Sequence, residues 1–428
     1  MVRTGSALGV LNCSSAPSET HKSAGRSAGY SRETVLLSCV VFLVLLLAVT
    51  AFAARMYHKQ EHVLADQWFA RGEAAFRAGN ALKAAKYYRN ALVYSESNTA
   101  FQFHLAQALT AAHTKETDEE AQSYLLSLLA ESPGSGEINL ELAHIAARQS
   151  NKMSAQDTLR YYYGAIYGVW QTDPLPKRWD ARRELCEYLL AHGMTAQVQP
   201  ETIALAQDVP LSDLGRQKEA AALLARAGLW DRALTEYRAI LSSHRRDSDA
   251  LSGAGLSAFH VGQYAAAVEY LAALPRTTRM RPEVSSAFAE SREVEAISPF
   301  LNRLSRRERA RRTVEALTRA RALMQNCFGG NVAPPNLKSG TSKPGGAVAA
   351  AQNGATANSA LQQLQATLAQ KSRVWKELNF IRDPSQIVDA MDWVFQVEKA
   401  AAQTCGPSRS LMDRALLLIA KSQTGSEA

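Results

Sequence analysis

The sequence predicts an all-α chain: helical hairpins stacked into an array, preceded by one apolar helix and closed by a C-terminal helical cap. Three observations lead there. A pattern of small and aromatic residues in Asp66–Leu92 returns at Gly215–Leu241 and at Ala250–Leu274, and Ala233 to Ala267 is 34 residues. Aromatics are only 7% of the 428 residues and no long β-branched alternation occurs, so strands are not expected. Thr34–Ala54 runs 21 residues without a charge.

A chain this long exceeds one compact core unless repeats add length without enlarging the core. The net charge of +8 permits an acidic partner or an anionic membrane surface and says nothing about fold.

Residues 1–33 are rich in Ser, Gly, Ala and Thr, a composition that does not repay the entropy of ordering, so a disordered tail is expected. Residues 34–54 form the expected transmembrane helix, because at about 1.5 Å per residue they span the roughly 30 Å hydrocarbon layer. A cleaved signal peptide is the rival reading, since Ala51-Phe52-Ala53 has the small-x-small form. The long polar leader and the length of the apolar run favour an uncleaved anchor. Lys22, Arg26 and Arg32 precede the span and Arg55 and Lys59 follow it. That bias puts the N-terminus in the cytoplasm and the body on the extracytoplasmic side.

Residues 55–298 hold about six repeats. In the first, Trp68, Gly72, Ala75 and Phe76 lie on one helix, Gly79 in a turn, and Ala84, Tyr88 and Ala91 on a second helix. The second starts near Thr99, with three residues inserted around Thr114–Glu119 and Pro133 at its end. A looser third follows from Leu142. The stretch from Trp170 to Val209 is a divergent repeat, with Asp173-Pro174-Leu175-Pro176 expected to break the chain. Ala221, Leu224, Gly228, Ala233 and Tyr237 form the next, and Gly255, Phe259, Gly262, Ala267 and Leu271 the last, closed by Pro275.

This pattern resembles the tetratricopeptide repeat (TPR) family. The resemblance implies an α-α superhelix, or solenoid, whose first helices line a concave groove that holds a protein or peptide ligand. Carried over by helix phase, the groove residues are Phe69, Glu73, Phe76, Arg77, Phe103, Gln107, Lys218, Arg226, Phe259 and His260. Family members that clamp a chaperone's terminal carboxylate place Lys and Asn four apart on the first helix. Here Phe69 and Glu73 stand there, which disfavours a cytosolic co-chaperone. Arg71 and Ala75 also depart from the family pattern, as an atypical terminal repeat would.

Residues 299–330 form an Arg-rich helix opened by Ser298-Pro299, with eight Arg and two Glu in Arg303–Arg321. Such a run reads first as a solvated or ion-paired face. Arg306, Arg307, Arg311 and Arg312 would be the contact if it binds an anionic envelope polymer or lipid headgroups. Nucleic acid is not expected, because no stacking aromatics or DNA-reading motif accompany the run. Residues 331–360 are a Gly/Ala/Pro linker, and 361–428 form the helical cap, with Asp383-Pro384 as break and N-cap. Cys186 reads as a small core residue. Cys327 and Cys405 flank the linker and the first cap helices, and a disulfide between them would close a loop of 78 residues and imply an oxidising compartment.

No nucleophile elbow, phosphate loop, HExxH or paired CxxC occurs, and His58 with His62 lack further metal ligands, so neither an enzyme nor a cofactor is expected. Three functions compete: an anchored scaffold for a bacterial envelope complex, an organelle-surface targeting receptor with a cytosolic groove, and a regulatory subunit of an exopolysaccharide or secretion machine.

Overall fold

The helix that holds the apolar run does not stop where that run ends at Ala54. In the computed structural model α1 (Arg32–Arg77) is one helix of 46 residues, containing both the span and the first helix of the first repeat. The structure describes residues 32–149, 155–171, 174–210, 212–328, 363–406 and 410–424. The expected tail up to residue 31 and the linker 331–360 lie outside them. Among the described residues the only β feature is an isolated bridge between Ser135 and Val169. The chain forms two compact units, the first to Tyr124 and the second from Leu125.

In the first unit, α1 is followed by α2 (Ala81–Tyr94), α3 (Thr99–Ala111) and the start of α4 (Lys115–Glu131). Gly79 ends α1 with φ of 76°, and the amide of Asn80 donates to the Ala75 carbonyl at 3.0 Å. A left-handed residue at that position is what glycine supplies at least cost. Asn98 opens α3, its side chain accepting from the amides of Ala100 and Phe101, so two otherwise unpaired donors of the first turn are satisfied. Tyr88 is fully buried against Gly72, where any Cβ would collide with the ring. Ala65, Ala91 and Phe101 pack with Trp68, Phe69 and Leu92 beside this contact. Upstream the apolar side chains from Leu36 to Phe52 are exposed, and α1 is the only described helix long and apolar enough to cross a membrane.

In the second unit the hairpins continue as α5 (Gly136–Arg148) with α6 (Ala155–Tyr167), and α7 (Pro174–Ala191) with α8 (Thr195–Gln207). They are followed by α9 (Leu214–Arg226) with α10 (Trp230–Ser243), and α11 (Ser248–Val261) with α12 (Tyr264–Ala272). Each hairpin packs on the next. The expected break at Pro174–Pro176 is corrected: these prolines lie in the first turn of α7, where a missing amide donor costs no helical hydrogen bond. The in-phase repeats share one core from Ala221 through Tyr237 and Leu271 to Ala287. Gly255 lets the Leu271 side chain approach, as Gly72 does for Tyr88 sixteen residues on.

After the short α13 (Arg276–Arg279), α14 (Pro282–Ile297) packs on α12 and α11 as the first helix of a further repeat. The Arg-rich helix α15 (Arg306–Phe328) starts seven residues later than the expected residue 299. Residues 299–305 turn instead, and Ser305 begins the helix by accepting the Glu308 amide at 3.2 Å. A helix over 363–371, here α16, ends before Trp375, which is buried in the segment that follows it. Then come α17 (Glu377–Arg382), α18 (Ser385–Cys405) and α19 (Leu411–Thr424). The helix that covers α14 is α19, whereas α15 packs on α17 and α18. Arg414 pairs with Glu290 at 2.9 Å, and the Tyr264 hydroxyl donates to the Leu418 carbonyl at 3.3 Å.

Candidate partner-binding surfaces

Within the first unit, α1 and α3 are the first helices of their hairpins and carry six of the expected groove residues. Phe69 is committed to packing: its ring stacks on Phe101 with centroids 4.7 Å apart and meets Tyr88 at 5.4 Å. Glu73 is the polar centre. It accepts from the Tyr88 hydroxyl at 2.6 Å and lies 3.1 Å from the imidazole of His104. Burial, then the hydrogen bond to Glu73, holds the Tyr88 hydroxyl in its neutral form, well above the ordinary phenol range. Phe76, Phe103 and Gln107 are half-buried and Arg77 is exposed, its guanidinium donating back to the Glu73 carbonyl at 3.3 Å. Phe103 meets His104 edge-on at 5.9 Å. The arrangement is a fixed carboxylate flanked by aromatic edges and a basic side chain.

In the second unit the corresponding residues are more occupied. Lys218 bridges to Asp247 and Asp249, both at 3.1 Å, tying α9 to the N-terminus of α11. Asp247 meanwhile caps that helix through the amides of Asp249 and Ala250. Arg226 is exposed. Phe259 is half-buried between two parts of the core, and His260 is exposed and stacks on Trp230 at 3.8 Å. A cavity of about 450 Å³ lies beside these helices, lined by Tyr264, Glu295, Phe300, Ile419 and Gln423 among others.

The Arg-rich helix divides by environment. Arg311 and Arg312 both engage Glu308, at 2.7 and 3.0 Å, which holds that carboxyl down at about 2. Arg312 also donates to the carbonyls of Glu295 and Ser298, both at 2.9 Å, closing the C-terminus of α14. Arg309 does the same for Leu301 and Asn302, and Arg319 grips Asp413 with two hydrogen bonds. Arg306 and Arg307 point to solvent. At the far end of the helix Cys327 is joined to Cys405, with Cα atoms 6.1 Å apart, inside the ordinary range for a disulfide.

Two polar clusters carry no local sequence signal. His144 on α5 lies 2.7 Å from Glu184 on α7 and 3.5 Å from Glu141. Burial disfavours its charged form, but hydrogen bonds to the two carboxylates outweigh that and raise it to about 9. Glu398 on α18 is buried, and this burial, reinforced by nearby Asp413, pushes it up to about 8 against the pull of Arg319. The periodicity marks these positions only as helical; apart from Glu141, three residues before His144 on α5, their partners come from other helices. Cys186 is fully buried, which pushes its thiol up to about 12. Among the described residues no group of His, Cys, Asp and Glu is arranged to hold a metal ion.

No protein-family model matches the sequence, and no curated protein is similar to it. Among solved structures, the type IV pilus biogenesis factor PilW aligns at 17% identity over 52% of this chain and 97% of its own, with a TM-score of 0.37. PilF of Pseudomonas aeruginosa aligns at 16% over 54% and 99%, TM-score 0.39. A tetratricopeptide repeat protein of Parabacteroides merdae aligns at 13% over 59% and 92%, TM-score 0.35. The local packing is more specific than these alignments: in two hairpins a glycine on the first helix receives a large side chain sixteen residues on, and a buried alanine lies between them at Ala84 and at Ala267. In this packing the two helical hairpins resemble tetratricopeptide repeats.

Proposed function

We propose that this chain is a single-pass membrane scaffold that holds protein partners on its tetratricopeptide hairpins, on the extracytoplasmic side of a bacterial envelope. The continuity of α1 carries the reading. A helix has about 1.5 Å rise per residue, so the first hairpin stands on a stiff extension of its own anchor rather than on a flexible tether. A protein whose task is to hold partners at a set height above a membrane needs that arrangement. The joined thiols Cys327 and Cys405 support an oxidising compartment. The face around Glu73 and Phe103 is the proposed contact, since its side chains are half-buried and fixed in place yet still reachable.

The test uses the full chain in its native membrane. Protease added to spheroplasts, where it reaches the outer face of the cytoplasmic membrane, is expected to digest the repeats, and their protection there would overturn the proposed side. Partners cross-linked in place and recovered in detergent are then compared between the wild type and Phe103→Ala. Truncating a side chain at the energetic centre of an interface costs about 2 kcal/mol or more, so recovery should drop several-fold with unchanged helicity. Equal recovery would remove this face from the proposal.

A further inference from the structure

Among the described residues, the face of α1 opposite its hairpin contact is unpartnered. Ala65, Trp68, Phe69, Gly72 and Ala75 turn toward α2. Half a turn around, at 3.6 residues per turn, lie Met56, Gln60, Val63, Gln67, Ala70 and Ala74, all exposed. Their spacing alternates four and three. The same alternation continues without a break into the apolar span through Ala53, Val49, Leu46, Phe42 and Cys39, also exposed. No charged residue interrupts it, although Arg55, Lys59, Glu61, Asp66, Arg71, Glu73 and Arg77 occupy other faces of the same stretch. A seven-residue repeat held over five turns or more is the pattern of a left-handed two-helix seam.

We propose that α1 pairs with α1 of a second copy of this chain, in parallel, along Cys39–Ala74. The pairing rests on the membrane reading above. Three features select a second copy over another occupant. A stripe that passes from the span into the extracytoplasmic segment can be followed only by a helix crossing the same membrane, and two copies inserted alike run parallel. Gln60 and Gln67 fall at the same heptad position, and each would meet its own counterpart, a side chain that both donates and accepts. Polar residues at such a position fix register and pair number at some cost in stability. Asp66 and Arg71 flank the seam on opposite sides and are five residues apart, the offset at which flanking charges of parallel helices meet. Each Asp66 would therefore face the other copy's cationic Arg71.

Single cysteines at Val63, Gln67 and, as an off-seam control, Leu82 on the exposed side of α2 are placed in full-length protein carrying Cys13→Ser and Cys39→Ser. Membranes are oxidised and samples are washed in alkaline carbonate. Covalent dimer is expected from the two seam positions and not from Leu82→Cys. Asp66→Arg should lower the Val63→Cys dimer at least about threefold, and adding Arg71→Asp should restore it. Protein that stays in washed membranes without dimer, or with equal dimer from Leu82→Cys, overturns the pairing and leaves the anchor intact. Protein released by the wash rejects the anchor and, with it, the pairing that rests on it.

Discussion

His144 shows how a single side chain can link two hairpins without any trace in a repeat pattern. Its imidazole is charged between Glu141 and Glu184, with a pKa raised to about 9 from 6.5. A base raised in the folded state stabilises fully below its unfolded value and loses that contribution as pH rises through the folded one. The window here runs from about 6.5 to about 9. His144→Gln should lower stability by about 1–2 kcal/mol at pH 6, allowing for partial exposure of the pair, and the deficit should vanish by pH 10. Melting curves at both values check it; a deficit that does not change with pH would mean that His144 acts through packing alone. Glu141 is three residues back on the same helix, a spacing at which side chains meet, but the second carboxylate that completes the cluster, Glu184, is 40 residues away.

At the scale of the helix, α1 and α2 are legible because their small residues recur at helical spacing. Gly72 and Tyr88 are both visible in the sequence, and what the structure adds is that one exists to admit the other. Gly72→Val should destabilise the hairpin by about 1–3 kcal/mol through overpacking. Hydrogen exchange at α2 amides in the full chain would show it as a loss of protection confined to α1 and α2. Helix ends are less legible. Pro174–Pro176 opens α7 instead of breaking the chain, since proline is harmful in the interior and tolerated in the first turn. Ser298-Pro299 opens nothing, because Ser305 provides the cap that α15 uses.

Across the molecule, the fold class is legible and the connections at the C-terminal end are not. A 34-residue period reports neighbours in sequence, so it reaches Leu271 and stops. The contact between α14 and α19 joins segments more than a hundred residues apart, and no periodicity encodes it. The groove residues are legible only as helix positions. Which of them already have partners, as Lys218 and Phe69 do, depends on helices that follow. The bond between Cys327 and Cys405 spans 78 residues. Loop-entropy reasoning gives it about 4 kcal/mol, so Cys405→Ser should lower denaturant stability of the second unit by that order. Cys186→Ser is not the matching control, because that thiol is buried.

The cover that α19 provides for α14 also has a consequence for the order of biosynthesis. A ribosome that has just made Ile297 must add everything up to Leu411 before the apolar side of α14 can be shielded. At roughly 5–20 residues per second that leaves the end of the array open for several seconds or more. During this time a chaperone, or an early-arriving partner, can reach a surface that the finished protein conceals.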